Sequence, residues 1–452
     1  MALASPAGEA SGLGTLGERV ALTCLKHFIE RLPRTGKPQP NETTVLAAFA
    51  LTRCQAKREL EEESEIKVVA VGTGTKCLSA SKRSSTGDTI HDSHAEVIAR
   101  RALLRWLWDQ INTALDRTAH SSSSGECIFE LVDDKKQGAT SSSSALPGSV
   151  GGESVQLRGK LKVKDGWKLH FFVSQMPCGD ACIFKVPQGT GTESRTGAKE
   201  ITKTLAVPLQ TSVDSGQQSV GRARRKPGKG EATLSMSCSD KIAKWLLLGV
   251  QGCLLSHLLR DPLCIDTIII LVDCQEREEE TLKVARDATF RALVGRTKTT
   301  RDKFSAMDGF AEGICRSTPS IDLIPCAKFS ELLQNTGLVP EASRQSKSGV
   351  SINWSAEGGK QGMHEVTSSA SGKKAGANKR LRTQDGSLNL KVVSTISRFH
   401  LKRRFEQAAN VTGHQDNADL KRATRYWKIW QTMKEDQDSI FAYWISKEPR
   451  LP

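Results

Sequence analysis

The sequence predicts an α/β fold, because short apolar runs typical of buried strands alternate with segments that carry apolar residues at helical spacing. The clearest strand is residues 265–272, IDTIIILV, and the runs Lys67–Val71 and Trp167–Ser174 have the same character. Strands that are apolar throughout are typical of a sheet covered by helices on both faces. We therefore expect a three-layer α/β/α sandwich.

Helical periodicity completes this fold prediction. In residues 94–111, Ile98, Ala102, Trp106 and Leu107 fall on one helix face. Similar spacing predicts further helices over residues 14–32, 44–60, 238–259 and 390–445. The last of these segments is rich in basic residues, so we expect a helical C-terminal extension.

Three long stretches lack either period and are expected to be loop inserts. Residues 119–158 contain two Ser tracts, residues 186–230 are polar and end in a basic run, and residues 341–388 are rich in Ser, Gly and Lys. Such compositions bury too little apolar surface to offset the entropy of ordering the chain. We expect disordered inserts in a single domain over residues 1–452, with its core at about 44–452.

The net charge and the distribution of cysteines limit which classes of protein this sequence fits. The 452 residues carry 65 Lys and Arg against 50 Asp and Glu, a net charge of +15, which suits a polyanionic partner but also a soluble protein with basic tails. We find no apolar run of about 18 residues that predicts a membrane span, and no secretory signal. The 12 cysteines are scattered, which predicts reduced thiols inside the cell.

The basic pairs Lys373-Lys374 and Lys379-Arg380 resemble nuclear-import signals. We therefore expect the protein in the nucleus, the cytoplasm or both. No feature of the sequence indicates an obligate protein partner.

Two short motifs at predicted helix starts carry the chemistry. His94-Ala-Glu96 and Pro177-Cys178 supply an imidazole, a carboxylate and a thiol. Imidazole and thiolate are usual zinc ligands, and a helix N-terminus favours a thiolate. The pair matches the general signature of zinc deaminases, in which the Glu carries protons and is not a ligand. Each motif alone is common by chance, whereas the combination predicts a zinc site with Glu96 as acid and base.

The third zinc ligand stays open on spacing alone. The generic signature places a second cysteine three residues after Cys178, but that residue is Ala181. Cys182 lies one residue further on, and Cys238 begins another predicted helix. Either thiol satisfies the chemistry.

A larger set of motifs resembles the deaminase domain of adenosine-to-inosine RNA-editing enzymes, in family order from about residue 44 to the C-terminus. The matching segments are Gly74-Thr-Lys-Cys77, Asp92-Ser-His-Ala-Glu96, Arg100-Arg101, Pro177-Cys-Gly-Asp180, Met236-Ser-Cys-Ser-Asp-Lys-Ile242 with Trp245, Gly249-Val-Gln-Gly252 and, more weakly, Ser351-Ile-Asn-Trp354. The resemblance implies a cytidine-deaminase-like sandwich, hydrolysis of adenosine to inosine in RNA, and Cys238 as the third ligand. It also implies that Thr75 and Lys76 border the adenosine pocket, with Lys76 near a phosphate; the alternative is a turn after a strand in which Lys76 is only solvated.

Further implications concern the RNA and a second ligand. Without double-stranded-RNA-binding modules, the chain is similar to the family members that act on tRNA, which implies the adenosine immediately 3′ of the anticodon of alanine tRNA. The family also buries inositol hexakisphosphate, and a cluster of basic residues inside a core requires anions. The residues that match its site are Arg100, Arg101, Lys241, Lys244, Trp245, Arg398, Tyr426 and Lys447. Ordinary surface charges are the alternative.

Other interpretations of the same residues remain. The basic segment 222–229 fits either contact with the RNA backbone or a disordered basic loop. The zinc motifs alone also permit a cytidine deaminase acting on RNA. A catalytically inactive RNA-binding scaffold is the third possibility, against which the intact His94, Glu96, Cys178 and Cys238 argue.

Overall fold

The computed structural model describes residues 14–54, 65–116, 127–132, 161–185, 193–194, 196–201, 218–228, 231–274, 277–338, 346–357, 361–376, 388–409 and 421–445. Lys379, Arg380 and Lys447, which the sequence singled out, lie outside these ranges. Among the residues described, no helix combines the length and the apolar character needed to cross a membrane.

A mixed sheet of seven strands forms the centre of the fold. The strands of the chain are β1 (Glu42–Thr43), β2 (Leu46–Arg53), β3 (Lys67–Thr73), β4 (Thr75–Cys77), β5 (Asp92–His94), β6 (Phe129–Leu131), β7 (Leu161–Val163), β8 (Trp167–Val173), β9 (Phe184–Lys185), β10 (Glu193–Ser194), β11 (Lys199–Glu200), β12 (Arg224–Arg225), β13 (Thr267–Val272), β14 (Ser320–Pro325), β15 (Ser346–Lys347), β16 (Val350–Ser355) and β17 (Met363–Ser368). The central sheet has the order β14-β13-β8-β2-β3-β16-β17. Strands β8, β13 and β14 are parallel, and every other pairing in the sheet is antiparallel.

Helices cover both faces of this sheet. They are α1 (Leu16–Lys26), α2 (Ala95–Asp116), α3 (Cys238–Leu248), α4 (Gly252–Leu255), α5 (Glu278–Leu293), α6 (Lys298–Ser305), α7 (Ser330–Leu333), α8 (Arg398–Ala408) and α9 (Arg425–Glu435). Helices α2, α3 and α5 pack on one face, and α1 packs on the other. The predicted three-layer α/β/α sandwich is confirmed.

Successive side chains of β13 pack alternately into the apolar layers on the two faces of the sheet. Ile268 and Ile270 pack with α2, α3 and α5, whereas Ile269 and Leu271 pack with α1. All four side chains are at most 1% exposed. Because successive side chains of a strand point to opposite faces, a strand covered on both sides is apolar at every position.

Close packing against β3 fixes where α2 begins. A Cβ atom on Gly72 would lie 2.2 Å from the backbone nitrogen of Ala99 and 2.6 Å from the carbonyl oxygen of Ala95. Glycine therefore lets the helix backbone approach the strand directly. This contact anchors the first turn of α2, which carries Glu96.

The helix predicted over residues 44–60 is wrong, because this segment supplies β2 at the centre of the sheet. Its residues 46–51 are at most 3% exposed, and they pack alternately on the two faces. A short apolar run that is buried on both sides has no period that separates strand from helix.

The predicted inserts contain ordered elements. Residues 341–388 supply β16 and β17, so the expectation of a disordered insert is wrong there; these strands complete one side of the central sheet. Residues 119–158 supply β6, which pairs with β7 just beyond this stretch, and within residues 186–230, β11 pairs with β12. Polar composition misled the prediction because these strands bury polar side chains, including Asn353 and Glu365.

The C-terminal segment is helical, as predicted, in α8 and α9. Helix α9 places Ile429, Trp430 and Met433 against α3 in a separate apolar cluster that also includes Phe441. Among the cysteines, Cys264 and Cys315 form a disulfide with Cα atoms 5.8 Å apart. The expectation of reduced thiols is therefore wrong for this pair.

We predict that Phe49→Ala lowers the free energy of unfolding by about 3–5 kcal/mol, because the ring is fully buried on Phe171 at a centroid distance of 4.8 Å. Phe290→Ala makes the same chemical change at a position that is 52% exposed, and we expect a loss below about 1 kcal/mol. Urea denaturation of both variants measures the difference. Equal losses would contradict the placement of β2 in the core.

Candidate active site

Three potential metal ligands from distant parts of the chain converge beside the sheet. His94 ends β5, Cys178 lies in the turn after β8, and Cys238 is the first residue of α3. The Nδ1 atom of His94 lies 3.8 Å from Sγ of Cys178 and 3.6 Å from Sγ of Cys238. All three ligand atoms lie within 4.8 Å of one another. An imidazole and two thiols at these separations form a donor set suited to zinc.

Backbone contacts tie the two cysteine turns together. The amide of Cys238 donates to Sγ of Cys178 at 3.4 Å, and the Ser239 hydroxyl donates to the carbonyl of Pro177 at 3.1 Å. Gly179 has a φ of 109°, and a Cβ atom there would lie 2.3 Å from Oγ of Ser237. Glycine is therefore required where the two turns meet.

The three ligand groups perturb one another strongly. Hydrogen bonding from Cys238, followed by the charge of His94 acting against desolvation, holds the pKa of the Cys178 thiol well below its usual value. Burial, followed by contact with Cys178, raises the pKa of the Cys238 thiol. Although burial and Lys226 lower the pKa of His94, the thiolate of Cys178 raises it to about 10. The cluster thus combines a thiolate and a neighbouring imidazole that binds a proton more tightly than usual, both in one buried space.

Glu96 lies beside this cluster in the first turn of α2. Its side chain is 3% exposed, and its Oε2 atom has no hydrogen-bond partner among the residues the structure describes. The carboxylate is close enough to Cys238 to contribute to the raised pKa of that thiol. A buried carboxylate oxygen without a protein partner is costly, which indicates that a water or a substrate satisfies it.

A buried ion pair that the sequence did not reveal adjoins the three ligands. Lys226 Nζ donates to both carboxylate oxygens of Asp92, at 3.0 and 2.9 Å, and Lys241 also contacts this carboxylate. Despite burial, these two cations hold the pKa of Asp92 well below its usual value. Asp92 in turn accepts the backbone N–H of His94 at 3.1 Å. The pair therefore positions a ligand-bearing strand.

The described part of the basic segment 222–229, residues 222–228, is not a uniformly exposed loop. Arg224 and Lys226 are each 1% exposed, and Arg224 forms an ion pair with Asp180 at 3.6 Å. Arg222 does face solvent, with a side chain that is 64% exposed. The sequence prediction failed because a run of basic residues in a polar stretch gives no signal of buried acidic partners.

Thr75 and Lys76, which the sequence predicts at the adenosine pocket, lie on opposite faces of strand β4. Thr75 pairs with His94 across the β4–β5 hairpin, and Lys76 pairs with Ser93. Since paired residues share a face and successive residues alternate, Thr75 lies on the His94 side and Lys76 on the opposite side. The Thr75 hydroxyl has no hydrogen-bond partner within the described part of the chain.

Cys182, the alternative third ligand, does not join the cluster. Its Sγ atom contacts the carbonyl oxygens of Met176 and Pro177 at 3.3 and 3.2 Å. Burial raises the pKa of this thiol as it raises that of Cys238, so position rather than acidity separates the two cysteines. Cys238 is the thiol that the structure brings to His94.

Asp92 also lines a cavity, which we call the cationic pocket. It has a volume of about 200 Å³ and contains seven residues of the predicted polyphosphate site: Arg100, Arg101, Lys241, Lys244, Trp245, Arg398 and Tyr426. Among its lining residues Asp92 is the sole carboxylate, and Lys226 and Lys241 already neutralise it. The pocket therefore has excess positive charge.

Mutual repulsion is evident inside the cationic pocket. Burial, followed by the charges of Arg398 and Arg100, lowers the pKa of Arg101 to about 9. Arg101 donates through Nε to the carbonyl of Ile396 at 2.7 Å, which leaves most of its guanidinium for the pocket. Such crowding of cations is unfavourable unless an anion compensates it.

Lys244 is held differently from the arginines. Its Nζ atom lies 3.4 Å from the ring centroid of Trp430, with Trp444 at 5.3 Å and Tyr426 at 5.5 Å. Aromatic faces attract a cation without neutralising its charge. The rings therefore fix this ammonium group at the edge of the pocket.

Comparison with known proteins agrees with this arrangement. The chain is 34% identical to the tRNA-specific adenosine deaminase 1 of Drosophila melanogaster over 280 residues, which are 59% of this chain and 58% of that protein. It is 27% identical to the Macaca fascicularis protein of the same name over 96% of this chain and 98% of that protein. The double-stranded RNA-specific editase Adar of Drosophila melanogaster is 31% identical over 54% of this chain and 32% of its own length. The adenosine-deaminase (editase) domain model matches residues 70–145 and 152–448. The chain therefore belongs to the adenosine-deaminase (editase) domain family.

Proposed function

We propose that this adenosine deaminase hydrolyses adenosine to inosine in tRNA and uses a zinc ion held by His94, Cys178 and Cys238. The observation that carries the proposal is the convergence of these three ligand atoms beside a buried Glu96 carboxylate with an unpartnered oxygen. Family membership and the names of relatives that match nearly the whole chain support adenosine in tRNA as the substrate.

The residues present fit a zinc ion. One imidazole and two thiolates satisfy three of its four usual ligand positions, and a catalytic site keeps the fourth position open. When bound, zinc supplies Lewis-acid activation of a water molecule as the nucleophile. Asp92 holds the backbone of His94 in place, and the α3 N-terminus with its Ser237 cap presents Cys238. The protein thus orients each ligand from a different element.

Glu96 performs the proton transfers of the reaction. Deamination adds water at C6 of the adenine ring and releases ammonia, so one proton of the water must reach N1 of the ring and the other must reach the leaving amine. A buried carboxylate whose oxygen has no competing partner suits this relay. An adenosine inside a folded RNA must leave its stack to reach a buried site, and Thr75 on the His94 side offers a free hydroxyl to the base.

On the tRNA, we propose the adenosine immediately 3′ of the anticodon of alanine tRNA as the substrate. The support is the similarity to tRNA-specific relatives, together with the net charge of +15, which favours a polyanion. Arg222, in the segment that carries Lys226, is 64% exposed and pairs with Glu200 at 3.7 Å, and its exposed guanidinium can contact the RNA backbone.

We further propose that the cationic pocket holds inositol hexakisphosphate. Arg100, Arg101 and Arg398 crowd into one cavity with a single neutralised carboxylate, and a ligand with many phosphates compensates this charge. Arginine forks match phosphate oxygens in geometry as well as charge. Lys447 remains a predicted contact beyond the described residues.

We predict that the wild-type protein converts one adenosine of alanine tRNA to inosine and that Glu96→Gln lowers this rate by at least about 100-fold, because the amide cannot accept the proton. The variant keeps its zinc content and melting temperature. Sequencing of treated total tRNA reads inosine as an A-to-G change. C-to-T changes would instead indicate a cytidine deaminase, and no change with wild-type protein would favour the inactive scaffold.

We predict that Cys238→Ser loses the metal, with zinc per chain falling below about one tenth, whereas Cys182→Ser retains it. Both substitutions replace a buried or partly buried thiol by a hydroxyl, but only the first removes a sulfur that lies 3.6 Å from His94. Elemental analysis of the purified proteins measures the zinc content. The opposite pattern would show that Cys182 is the third ligand.

We predict that Arg101→Met lowers inositol hexakisphosphate content by at least about tenfold, because it removes one charged hydrogen-bonding group from the pocket. Arg403→Met serves as the control, since Arg403 is exposed on α8 and does not line the pocket. Mass spectrometry of acid extracts from equal amounts of protein measures the ligand. Equal content in both variants would refute the assignment of the pocket.

A further inference from the structure

A polar network outside the cationic pocket holds part of the pocket wall. This wall is the segment Ser394–Arg398, in which Ile396 accepts the Arg101 hydrogen bond at 2.7 Å and Arg398 lines the cavity. Ser397 caps α8 by accepting the amide of His400 at 3.1 Å. The segment therefore sets both the orientation of Arg101 and the starting point of the helix that carries Arg398.

The carboxylate of Glu365 anchors this wall segment from the sheet. Its Oε2 atom accepts both the amide and the hydroxyl of Thr395, each at 3.1 Å, and its Oε1 atom accepts the hydroxyl of Ser394. Asn353 on the neighbouring strand donates to Oε1 at 3.2 Å. Glu365 is 9% exposed, and despite burial the hydrogen bond from Ser394 and the charge of Lys374 hold its pKa below the usual value.

Arg105 completes the network from α2. Its guanidinium is fully buried and donates to Thr395 Oγ1 at 2.6 Å, to Asn353 Oδ1 at 3.0 Å and to Ser355 Oγ at 2.9 Å. Arg105 lies four residues after Arg101, so the two side chains project from the same face of the helix. One helix thus contacts the wall segment twice, through Arg101 at Ile396 and through Arg105 at Thr395.

The electrostatics of the pocket explain why such an anchor is needed. Arg101 and Arg398 carry like charges in one cavity, and after burial the charge of Arg398 contributes to the lowered pKa of Arg101. Like charges repel, so without a restraint the segment 394–398 would tend to move away from α2. The Glu365 network opposes this movement with charge-assisted hydrogen bonds, which are stronger than neutral ones. An anion binds most tightly to cations that are already held in place.

We propose that Glu365, Thr395 and Arg105 are positioning residues for the polyphosphate site, which they do not line: they hold Ile396 and Arg398 in the geometry that binds the ligand. This inference rests on the proposal that the cationic pocket binds an inositol polyphosphate. The Thr395 hydroxyl links the two charged groups of this network, because it accepts a hydrogen bond from Arg105 and donates one to Glu365.

Thr395→Val tests the inference, because it removes this hydroxyl and keeps the size and branching of the side chain. Thr367→Val is the matched control: Thr367 is fully buried on β17, on the strand that carries Glu365, but its hydroxyl has no partner among the described residues. Thr395→Ser is the rescue variant, since it restores a hydroxyl at the same position.

Two measurements are made on the full-length chain. Mass spectrometry gives the inositol hexakisphosphate retained per chain after purification, and thermal unfolding with added inositol hexakisphosphate gives the concentration for half-maximal stabilisation. We expect Thr395→Val to retain about tenfold less ligand and to need about tenfold more of it. Thr367→Val and Thr395→Ser should match the wild type within about twofold.

The outcomes separate this inference from the proposal on which it rests. Wild-type protein without any inositol phosphate would overturn the ligand of the pocket and, with it, the inference. Ligand in the wild type with equal retention and equal half-maximal concentration in Thr395→Val would overturn the inference alone. If Thr395→Val does not fold, Lys374→Met decides, because it removes the ion pair to Glu365 at 3.2 Å from a partly exposed position. Reduced retention in that variant supports the network, and unchanged retention overturns it.

Discussion

The rest of the site depends on the close approach of the His94 imidazole to the thiols of Cys178 and Cys238, which lie at the ends of three different elements. The β4–β5 hairpin carries the imidazole, the turn after β8 carries one thiol, and the N-terminus of α3 carries the other. Each of these elements is fixed by packing elsewhere: α2 lies directly on β3 at Gly72, and Gly179 lets the two cysteine turns touch. Local sequence brings no two of these ligands together, so the sandwich itself creates the site.

Asp92 connects this cluster to the cationic pocket. It accepts the His94 amide, pairs with buried Lys226 and Lys241, and lines the pocket in which Arg100, Arg101 and Lys244 gather. One carboxylate thereby contributes to the geometry of a ligand strand and to the charge balance of a neighbouring cavity. In a medium of low dielectric constant, such charges interact strongly.

Much of the fold and of the site could be predicted from sequence, for identifiable reasons. Strands such as β13 are apolar at every position, and Cys238 begins a helix that has a recognisable cap in Ser237. The prediction failed where burial was decided by distant partners. The sequence of β2 is compatible with a helix, and only its neighbours in the sheet decide for a strand. Strands β16 and β17 bury polar residues against Arg105, which their composition does not predict. The burial of Lys226 depends on Asp92, which is distant in the sequence.

X-ray absorption spectroscopy at the zinc edge of the purified protein tests the central claim most directly. The account predicts one zinc per chain with two sulfur ligands at about 2.3 Å and lighter nitrogen or oxygen ligands at about 2.0–2.1 Å. Loss of one sulfur from this shell in Cys238→Ser would identify the second thiolate. A first shell without sulfur, or with four sulfurs, would contradict a site built from His94, Cys178 and Cys238.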